Sequence, residues 1–403
     1  MGEGALSDLK VVEYADFISG PFCAKLMADL GADVVKVEPP AGDTARRYGP
    51  FPGDVPHPEK SGLFLYLNTN KQGVTLDLTS AAGARIFKEI IGQADILIEN
   101  HPPSMMIKLG LGYEALTKIN PGLIMTSISP FGQSGPYRDY KTTNLVAMHM
   151  GSVGYYTPGA VDDLQREPPL KGGGHQADFI AGLIAALMSL SGIFMRAATG
   201  VGQHIDLSEH EAVAFNLMRD LSSYTYDGML PGRLKSQVRG FGSFVPCADG
   251  YVQLYMTDDR QWRGFLEAIG NPEWARDGRY GDAASRIGNW ESLEAHVAAW
   301  TRKRRKEEIY HAVQSRHAAC GPVNTIDEVL SSQQLASRGF FIEVDHPEAG
   351  TFRYPGAPCK LSETPFRVIR PAPRLGEHNE EILNQRLGHT RTELVRMRAA
   401  GVI

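Results

Sequence analysis

The sequence predicts an α/β fold, with a large Rossmann-like domain built on a parallel sheet and a smaller α+β domain. Strand-like runs alternate with helical segments over the first 210 residues, which is typical of a parallel sheet covered on both faces. A chain of 403 residues is also too long for one compact core. After about residue 210 the pattern changes to a hairpin followed by helices. Two domains are therefore expected.

The first elements form a βαβ unit. Leu9–Tyr14 is a valine-containing strand, and the helix Phe22–Leu30 ends where Gly31 permits a turn. The second strand, Asp33–Glu38, is stopped by two consecutive prolines. The next predicted helix and strands of this domain are Ala81–Ile91, Asp95–Asn100 and Leu123–Ile128.

The middle of the chain is expected to form the smaller domain. Phe244–Tyr255 is predicted to be a hairpin because Asp249 and Gly250 supply its turn. Helices are predicted at 259–269, 290–301 and 305–319. The C-terminal part should contain strands near Phe340 and Thr351, then helices near 378–386 and 390–400. The predicted domain ranges are 1–210, 225–325 and 330–403, the last returning to the large domain.

Composition excludes several classes of protein. A net charge of −5 and a pI near 6.2 argue against nucleic-acid binding through bulk charge. The four cysteines are widely separated, so neither a disulfide framework nor a metal site is expected. The start of the chain lacks a basic, apolar leader, and small residues such as Gly182 interrupt the longest apolar run. We expect a cytoplasmic enzyme that does not bind membranes.

The most informative residue is Asp178. It follows the glycine run Gly172–Gly174 and precedes the apolar segment Phe179–Met195, which is predicted to be a buried helix. A helix N-terminus favours an anion, and the glycines allow a substrate to approach the backbone closely. Asp178 is either a helix N-cap or a nucleophilic carboxylate, and the local sequence alone favours the N-cap.

Basic residues follow several strand ends, where a parallel sheet gathers its loops. Each is by itself a solvated surface charge, but together they could bind the phosphates of a large anionic ligand. The basic residues are Arg46, Arg47, Lys71, Lys108 and Lys141.

The first βα turn, Ala15–Pro21, lacks the GxGxxG glycines, which disfavours an NAD-dependent dehydrogenase.

Seven segments together resemble the class III CoA-transferase family, which contains formyl-CoA and carnitine CoA-transferases and related acyl-CoA racemases. The resemblance extends over nearly the whole chain, and it implies an interlocked dimer in which each monomer threads through the other. The segments are Ser19–Pro40, Gly42–Arg46, Asn68–Leu78, Asp95–Asn100, Ala177–Gly182, Thr199–Leu207 and Leu375–Asn379.

The resemblance also implies roles for individual residues. Asp178 matches the catalytic aspartate, which attacks an acyl-CoA thioester and passes through an anhydride and an aspartyl-CoA thioester. CoA or acyl-CoA is then a substrate, with no tightly bound cofactor. The positions carried over for CoA are Phe17, Ile18, Ser19, Lys71, Asn100, His101, Lys108 and Lys141.

The substrate acid is a weaker inference. Arg46, Arg47, His175 and Gln176 could meet a second carboxylate, which suggests a dicarboxylic or polar acid with succinyl-CoA as donor. Surface or interface roles for both arginines are equally compatible with the sequence. Gly173 and Gly174, with Gly172, are candidate N–H donors to an oxyanion.

The sequence leaves two alternatives to a CoA-transferase open. A racemase of the same superfamily would need a histidine in the segment Asp139–Asn144, where Lys141 lies instead. A non-catalytic subunit of a hetero-oligomer is disfavoured by the intact Asp178. A transferase is therefore favoured, as a homodimer or as a heterodimer with a homologous subunit.

Overall fold

The structure is a computed structural model that describes residues 4–230, 232–235, 244–256 and 258–403. The chain forms two compact units. The first comprises Met1–Gly154, Lys171–Asp227 and Gly339–Ile403, and the second comprises Tyr155–Leu170 and Gly228–Arg338. The segment 155–170, which lies inside the sequence-based range 1–210, belongs to the second unit.

The strands are numbered in chain order. They are β1 Lys10–Tyr14, β2 Asp33–Glu38, β3 Gln72–Thr75, β4 Ile96–Glu99, β5 Ile124–Ser129, β6 Ala160–Val161, β7 Gln203–Ser208, β8 Leu234–Lys235, β9 Phe244–Cys247, β10 Gly250–Tyr255, β11 Ala319–Pro322, β12 Phe341–His346 and β13 Gly350–Pro355.

The helices are numbered in the same way. They are α1 Ser19–Asp29, α2 Gly62–Leu67, α3 Ala81–Ile91, α4 Pro103–Lys108, α5 Tyr113–Leu116, α6 Asn144–Met150, α7 Gln176–Thr199, α8 Glu209–Ala214, α9 Met218–Asp227, α10 Asp259–Ala268, α11 Ala283–Gly288, α12 Trp290–Thr301, α13 Lys306–Gln314, α14 Ile326–Leu330, α15 Gln333–Ser337 and α16 Arg391–Ala399. Short 3₁₀ turns lie at Thr44–Arg47, Pro52–Asp54, Val153–Tyr156, Glu273–Arg276 and Gly278–Tyr280, and a π-helical segment spans Glu380–Arg386.

The first unit is organised around a six-stranded sheet in the order β3-β2-β1-β4-β5-β7, in which every neighbouring pair is parallel. The predicted βαβ unit is confirmed, with Val12 beside Val35 on β2 and beside Leu97 on β4. Because these strands are covered on both faces, their residues are almost uniformly buried. The carboxyl ends of all six strands therefore meet at one edge.

The sequence did not predict the two edge strands of this sheet. β3 has only four residues, and β7 carries polar side chains that leave much of it exposed. Neither strand has the continuous apolar run by which a buried strand is recognised, since β3 contains Gln72, Gly73 and Thr75 although all four of its residues are buried.

Helix α7 packs against α1 and the sheet through its small residues. A side chain at Gly182 would collide with the Ser19 carbonyl oxygen at 2.6 Å, and Ser189 hydrogen-bonds Thr126 of β5 at 2.7 Å. The small residues that interrupt the apolar run in the sequence therefore lie within one continuous helix. By length and composition α7 could also cross a membrane, but it contributes Ala181, Ala185 and other buried residues to the core.

The prediction that α7 is a buried helix is wrong for its outer face. Leu183, Leu187 and Met195 are exposed, and Phe194 is 79% exposed. The apolar composition of α7 thus serves two surfaces, one against the sheet and one facing outward in the single chain.

The second unit contains the predicted hairpin. β9 and β10 are antiparallel, with Cys247 opposite Gly250 across the Asp249–Gly250 turn. The helix expected at 305–319 ends at Gln314, because 319–322 pair with β10 as strand β11. The core of the second unit is formed by Trp262 and Phe265 together with residues of α12 and α13.

The C-terminal segment returns to the sheet of the first unit. The Asn379 side chain accepts a hydrogen bond from the Thr75 amide at 2.9 Å, and the Val402 carbonyl accepts one from Asp77 at 2.8 Å. The predicted strands near 340 and 351 form the β12–β13 hairpin. The helix expected at 378–386 is π-helical over Glu380–Arg386, and the one expected at 390–400 is α16.

Candidate active site

Asp178 lies in the first turn of α7. His175 is the N-cap residue of this helix, so the interpretation of Asp178 as an N-cap is wrong. The Asn144 amide donates a hydrogen bond to Asp178 Oδ2 at 3.0 Å, and His175 Nδ1 lies 3.3 Å from the same oxygen. The Asp178 side chain is 13% exposed. Asn144 and His175 therefore hold a carboxylate that remains accessible.

Burial raises the pKa of Asp178 above its ordinary value, although the bonds from Asn144 and His175 act in the opposite direction. Removal from water destabilises the charged form more than these donors stabilise it. A partly desolvated carboxylate attacks an electrophilic carbon more readily than a fully hydrated one. Asp178 is thus a partly desolvated carboxylate that solvent can still reach.

Two aromatic rings enclose His175. Its Nε2 lies 3.3 Å from the Tyr48 hydroxyl, and the ring centroids of Phe17 and Tyr48 lie 5.2 Å and 5.7 Å from that of His175. Phe17 has a positive φ of 65°, and its amide donates to Asp43 Oδ1 at 3.0 Å. Strained backbone of this kind persists only where its surroundings hold it. Tyr48, which the sequence analysis missed, thus fixes the histidine beside the carboxylate.

The glycine loop leaves open space beside the carboxylate. Side chains placed at Gly173 or Gly174 would meet nothing within 4 Å, and Gly174 has a φ of 74° that favours glycine. The Gln176 amide donates back to the Gly173 carbonyl at 3.3 Å, and Lys171 donates to the Gly174 carbonyl at 2.6 Å. No other part of the described chain therefore lies against the loop at these two glycines.

A second carboxyl group lies close to Asp178. Glu209 is the first residue of α8 and is buried, and burial, followed by the charge of Asp178, raises the pKa of Glu209 to about 7. The Asn100 amide donates to the Ser19 hydroxyl at 3.1 Å and to the Asp16 carbonyl at 2.7 Å. The sequence analysis missed Glu209 and Asn144. Glu209 directly follows β7, and because that strand was not predicted either, the sequence offered no signal for this residue.

The structure contradicts the assignment of Lys71 as a phosphate ligand. Its ammonium has no exposed surface and pairs with Glu13 at 2.7 Å. It also donates to the Pro21 carbonyl at 2.8 Å and to Asn68 Oδ1 at 2.9 Å. Burial lowers the pKa of Lys71 to about 8. Because its N–H groups already bond residues of the protein, Lys71 is a structural residue that supports the first βα turn, Ala15–Pro21 (the first loop).

Arg46 is likewise a buried structural residue. Its guanidinium pairs with Glu38 at 2.6 Å and with Glu59 at 2.7 Å, and it donates to the Pro373 carbonyl at 3.0 Å. Nε and both terminal nitrogens of Arg46 already donate to groups of the protein, so the expected contact between Arg46 and a substrate carboxylate is not supported. Arg47, the next residue, is exposed.

The remaining residues assigned to CoA fall into two groups. Ile18 and His101 lie at the carboxyl ends of β1 and β4, where Ile18 is fully buried and the His101 ring lies 4.2 Å from that of Tyr14. Burial lowers the pKa of His101 to about 4, so this ring is neutral at pH 7. Lys108 and Lys141 are exposed, at the end of α4 and in the loop before α6.

The architecture and site define an α/β protein with an accessible carboxylate at the strand ends of a parallel sheet. Residues 6–379 match the family model described as CoA-transferase family III. The succinyl-CoA–D-citramalate CoA-transferase of Chloroflexus aurantiacus is 31% identical over 404 residues, covering 99% of this chain and 98% of the relative. The beta subunit of the succinyl-CoA–L-malate CoA-transferase of the same organism is 32% identical over 407 residues, covering 99% and 98%.

A solved structure supports the same assignment. A CAIB/BAIF family protein from Brucella suis superposes with a TM-score of 0.84 at 28% identity, covering 95% of this chain and all of that one. The chain therefore belongs to CoA-transferase family III, and it is an enzyme of that class. Both the predicted family and the predicted α/β fold with a parallel sheet are confirmed.

We predict that Lys71→Met destabilises the first unit without acting on CoA directly. Losing one ammonium leaves the buried Glu13 with Lys36 alone, which should lower the free energy of unfolding by about 3 kcal/mol. Urea denaturation followed by circular dichroism measures the effect. Lys108→Met, at an exposed position, is the control and should change stability by less than about 0.5 kcal/mol. Equal stability of the two variants would contradict the structural role of Lys71.

Proposed function

We propose that Asp178 is the covalent nucleophile of the CoA transfer. Its carboxylate attacks the thioester carbonyl, the C–S bond breaks, and CoA leaves as the thiolate from a mixed anhydride. The thiolate then attacks the aspartyl carbonyl, which releases the donor carboxylate and leaves an enzyme–CoA thioester. The acceptor carboxylate attacks the carbonyl of this thioester and expels the CoA thiolate, which leaves a second mixed anhydride. The thiolate then attacks the acceptor's acyl carbon in that anhydride, which releases the new acyl-CoA and restores the Asp178 carboxylate. Splitting one acyl exchange into these steps lowers each barrier.

The observation that carries this proposal is the setting of Asp178 in the structure. It is partly desolvated, bonded by Asn144, and open on the side of the glycine loop. His175 is fixed by Tyr48 against the same carboxylate oxygen, where it orients the nucleophile. Gly173 and Gly174 would place backbone N–H groups near the oxyanion formed on the thioester.

CoA would bind across the strand ends of the sheet and enter as part of the substrate, not as a resident cofactor. Phe17, Ile18, Ser19, Asn100 and His101 line the first and fourth strand ends, where a nucleotide-containing ligand binds in folds of this kind. The exposed Lys108 and Lys141 are the phosphate ligands in this proposal. Lys71 and Arg46 support the loops.

The proposed donor is succinyl-CoA, and the proposed acceptor is a dicarboxylic or similarly polar acid. The two Chloroflexus aurantiacus relatives are both named for succinyl-CoA and for a dicarboxylate acceptor. The exposed Arg47 and Gln176 are candidates to meet a second carboxylate, together with the half-buried His175. We place this reaction in the cytoplasm.

We also propose that the enzyme works as a dimer. The outer face of α7 exposes Leu183, Leu187 and Phe194, which is more apolar surface than one helix of a monomer usually leaves in water. A homodimer is preferred, and a heterodimer with a homologous subunit is the alternative.

Replacing Asp178 tests the nucleophile. Asp178→Asn should lower kcat for transfer between succinyl-CoA and a panel of dicarboxylates by about 10⁴-fold, because the amide cannot form the anhydride. Hydroxylamine added to the wild-type enzyme with acyl-CoA should convert Asp178 to a hydroxamate, seen by peptide mass spectrometry. Asp8→Asn, an exposed carboxylate, is the control. Normal turnover of Asp178→Asn would remove Asp178 from the mechanism.

The phosphate ligands are tested by charge removal. Lys108→Met and Lys141→Met should each raise KM for acyl-CoA about 5- to 150-fold, corresponding to about 1–3 kcal/mol for a charged hydrogen bond. Lys10→Met is a matched control, since Lys10 is exposed at the opposite end of β1. An unchanged KM in both variants would refute the assignment.

The dimer is tested on the outer face of α7. Leu187→Glu should keep newly synthesised chains from assembling into dimers, because a charge at an apolar interface is desolvated without a partner. Sedimentation velocity measures the mass. Val395→Glu is the control, because Val395 is similarly exposed on α16. A monomeric wild type, or a Leu187→Glu variant that stays dimeric, would contradict the proposed interface.

A further inference from the structure

Asn100 is bonded to the first loop through each of its polar groups. It lies directly after β4, and its Oδ1 accepts a hydrogen bond from the Asp16 amide at 2.8 Å. Its amide nitrogen donates to the Asp16 carbonyl at 2.7 Å and to the Ser19 hydroxyl at 3.1 Å. An asparagine side chain has two N–H donors and one carbonyl oxygen, so Asn100 has no N–H left for a ligand.

The hydrogen bonds of Asn100 hold the first loop on both sides of Phe17. With a φ of 65°, Phe17 lies in the left-handed region that glycine enters readily and other residues enter only under strain. Asn100 bonds the amide and the carbonyl of Asp16 before Phe17, and the hydroxyl of Ser19 after it. Asp43 adds one bond, to the Phe17 amide. A strained residue keeps such a conformation only while its neighbours hold it, and Asn100 provides three of these bonds.

We propose that Asn100 is a positioning residue for the nucleophile, which acts through Phe17 and His175 and not through a hydrogen bond to CoA. This inference rests on the proposed role of Asp178. The Phe17 ring contacts His175 edge to face, with 5.2 Å between the ring centroids, and His175 Nδ1 lies 3.3 Å from Asp178 Oδ2. Asn100 therefore acts on the carboxylate through two intervening side chains.

The physical reason is the directional requirement of attack on a thioester. The nucleophilic oxygen must meet the carbonyl carbon in one orientation, and a displacement of about 1 Å can cost about 100-fold in rate. Without Asn100 the polar groups of Asp16 lose their partners, and Phe17 can relax to a negative φ. Its ring then leaves His175, which becomes free to turn away from Asp178. Asn100 itself exchanges no proton and forms no bond with the substrate.

The kcat for transfer from saturating succinyl-CoA to a panel of dicarboxylates tests the proposal. Asn100→Ala should lower kcat about 10- to 100-fold. In the Phe17→Ala background the same substitution should lower kcat by less than about twofold further, because the contact through which it acts is already missing. Asn120→Ala is the matched control and should keep the wild-type kcat. The Asn120 amide also bonds two backbone carbonyls, those of Ile91 and Ala94, but Asn120 precedes β5 at the opposite edge of the sheet.

Equal losses of kcat in the wild-type and Phe17→Ala backgrounds would overturn the proposal. So would a raised KM for acyl-CoA with an unchanged kcat, since Asn100 would then act on CoA binding. If Asn100→Ala does not fold, Asn100→Asp provides a second test. It keeps an acceptor for the Asp16 amide but turns a carboxylate toward the Asp16 carbonyl, so kcat should again fall, and a wild-type kcat would be contrary to the proposal. Hydroxamate formation at Asp178 in the wild type reports separately whether the covalent mechanism holds.

Discussion

A buried row of alternating charges beneath the first loop is the constraint on which the site depends. Asp43, Lys36, Glu13 and Lys71 follow one another, with 2.7 Å between each pair of charged atoms. Desolvating four charges is expensive, and only their mutual attraction in good geometry offsets it. Glu13 lies on β1 and Lys36 on β2, whereas Lys71 precedes β3 and Asp43 lies in the loop after β2. The sheet must therefore be assembled before these four charges can meet. The loop above this row carries Phe17.

The row of charges is coupled to the functional residues through the same loop. Asp43 accepts the Phe17 amide, and Asp16 accepts both the amide and the hydroxyl of Thr44. Asn100 closes the loop from the side of β4 by bonding the Asp16 backbone at both its amide and its carbonyl. Phe17, whose ring contacts His175, is therefore held in place by Asp43, which belongs to the buried row of charges. This arrangement provides a rigid support beside the Asp178 carboxylate.

Helix α7 brings that carboxylate to the strand ends. Gly182 and Gly192 allow it to lie close to α1 and to β5, so that its first turn reaches the loop edge of the sheet. Its larger residues point outward, so the helix positions Asp178 and, in the proposed dimer, offers an apolar surface to the partner subunit. Glu209, a second acid, lies close to Asp178, while the exposed lysines lie at the end of α4 and before α6. In the proposed mechanism, attraction for CoA and the nucleophilicity of the carboxylate are thereby supplied by different residues.

The sequence by itself determined the βαβ order, the β9–β10 hairpin, the helix Ala81–Ile91 and the family, because these depend on local periodicity, turn residues and contiguous motifs. Tertiary structure alone decided the edge strands β3 and β7, the placement of Asn144 and Glu209 beside Asp178, and the burial of Lys71 and Arg46. A lysine or arginine has the same appearance in a sequence whether it meets a ligand or a buried carboxylate. Which of the two it meets depends on partners such as Glu13 and Glu59, and only the folded chain brings these within hydrogen-bonding distance.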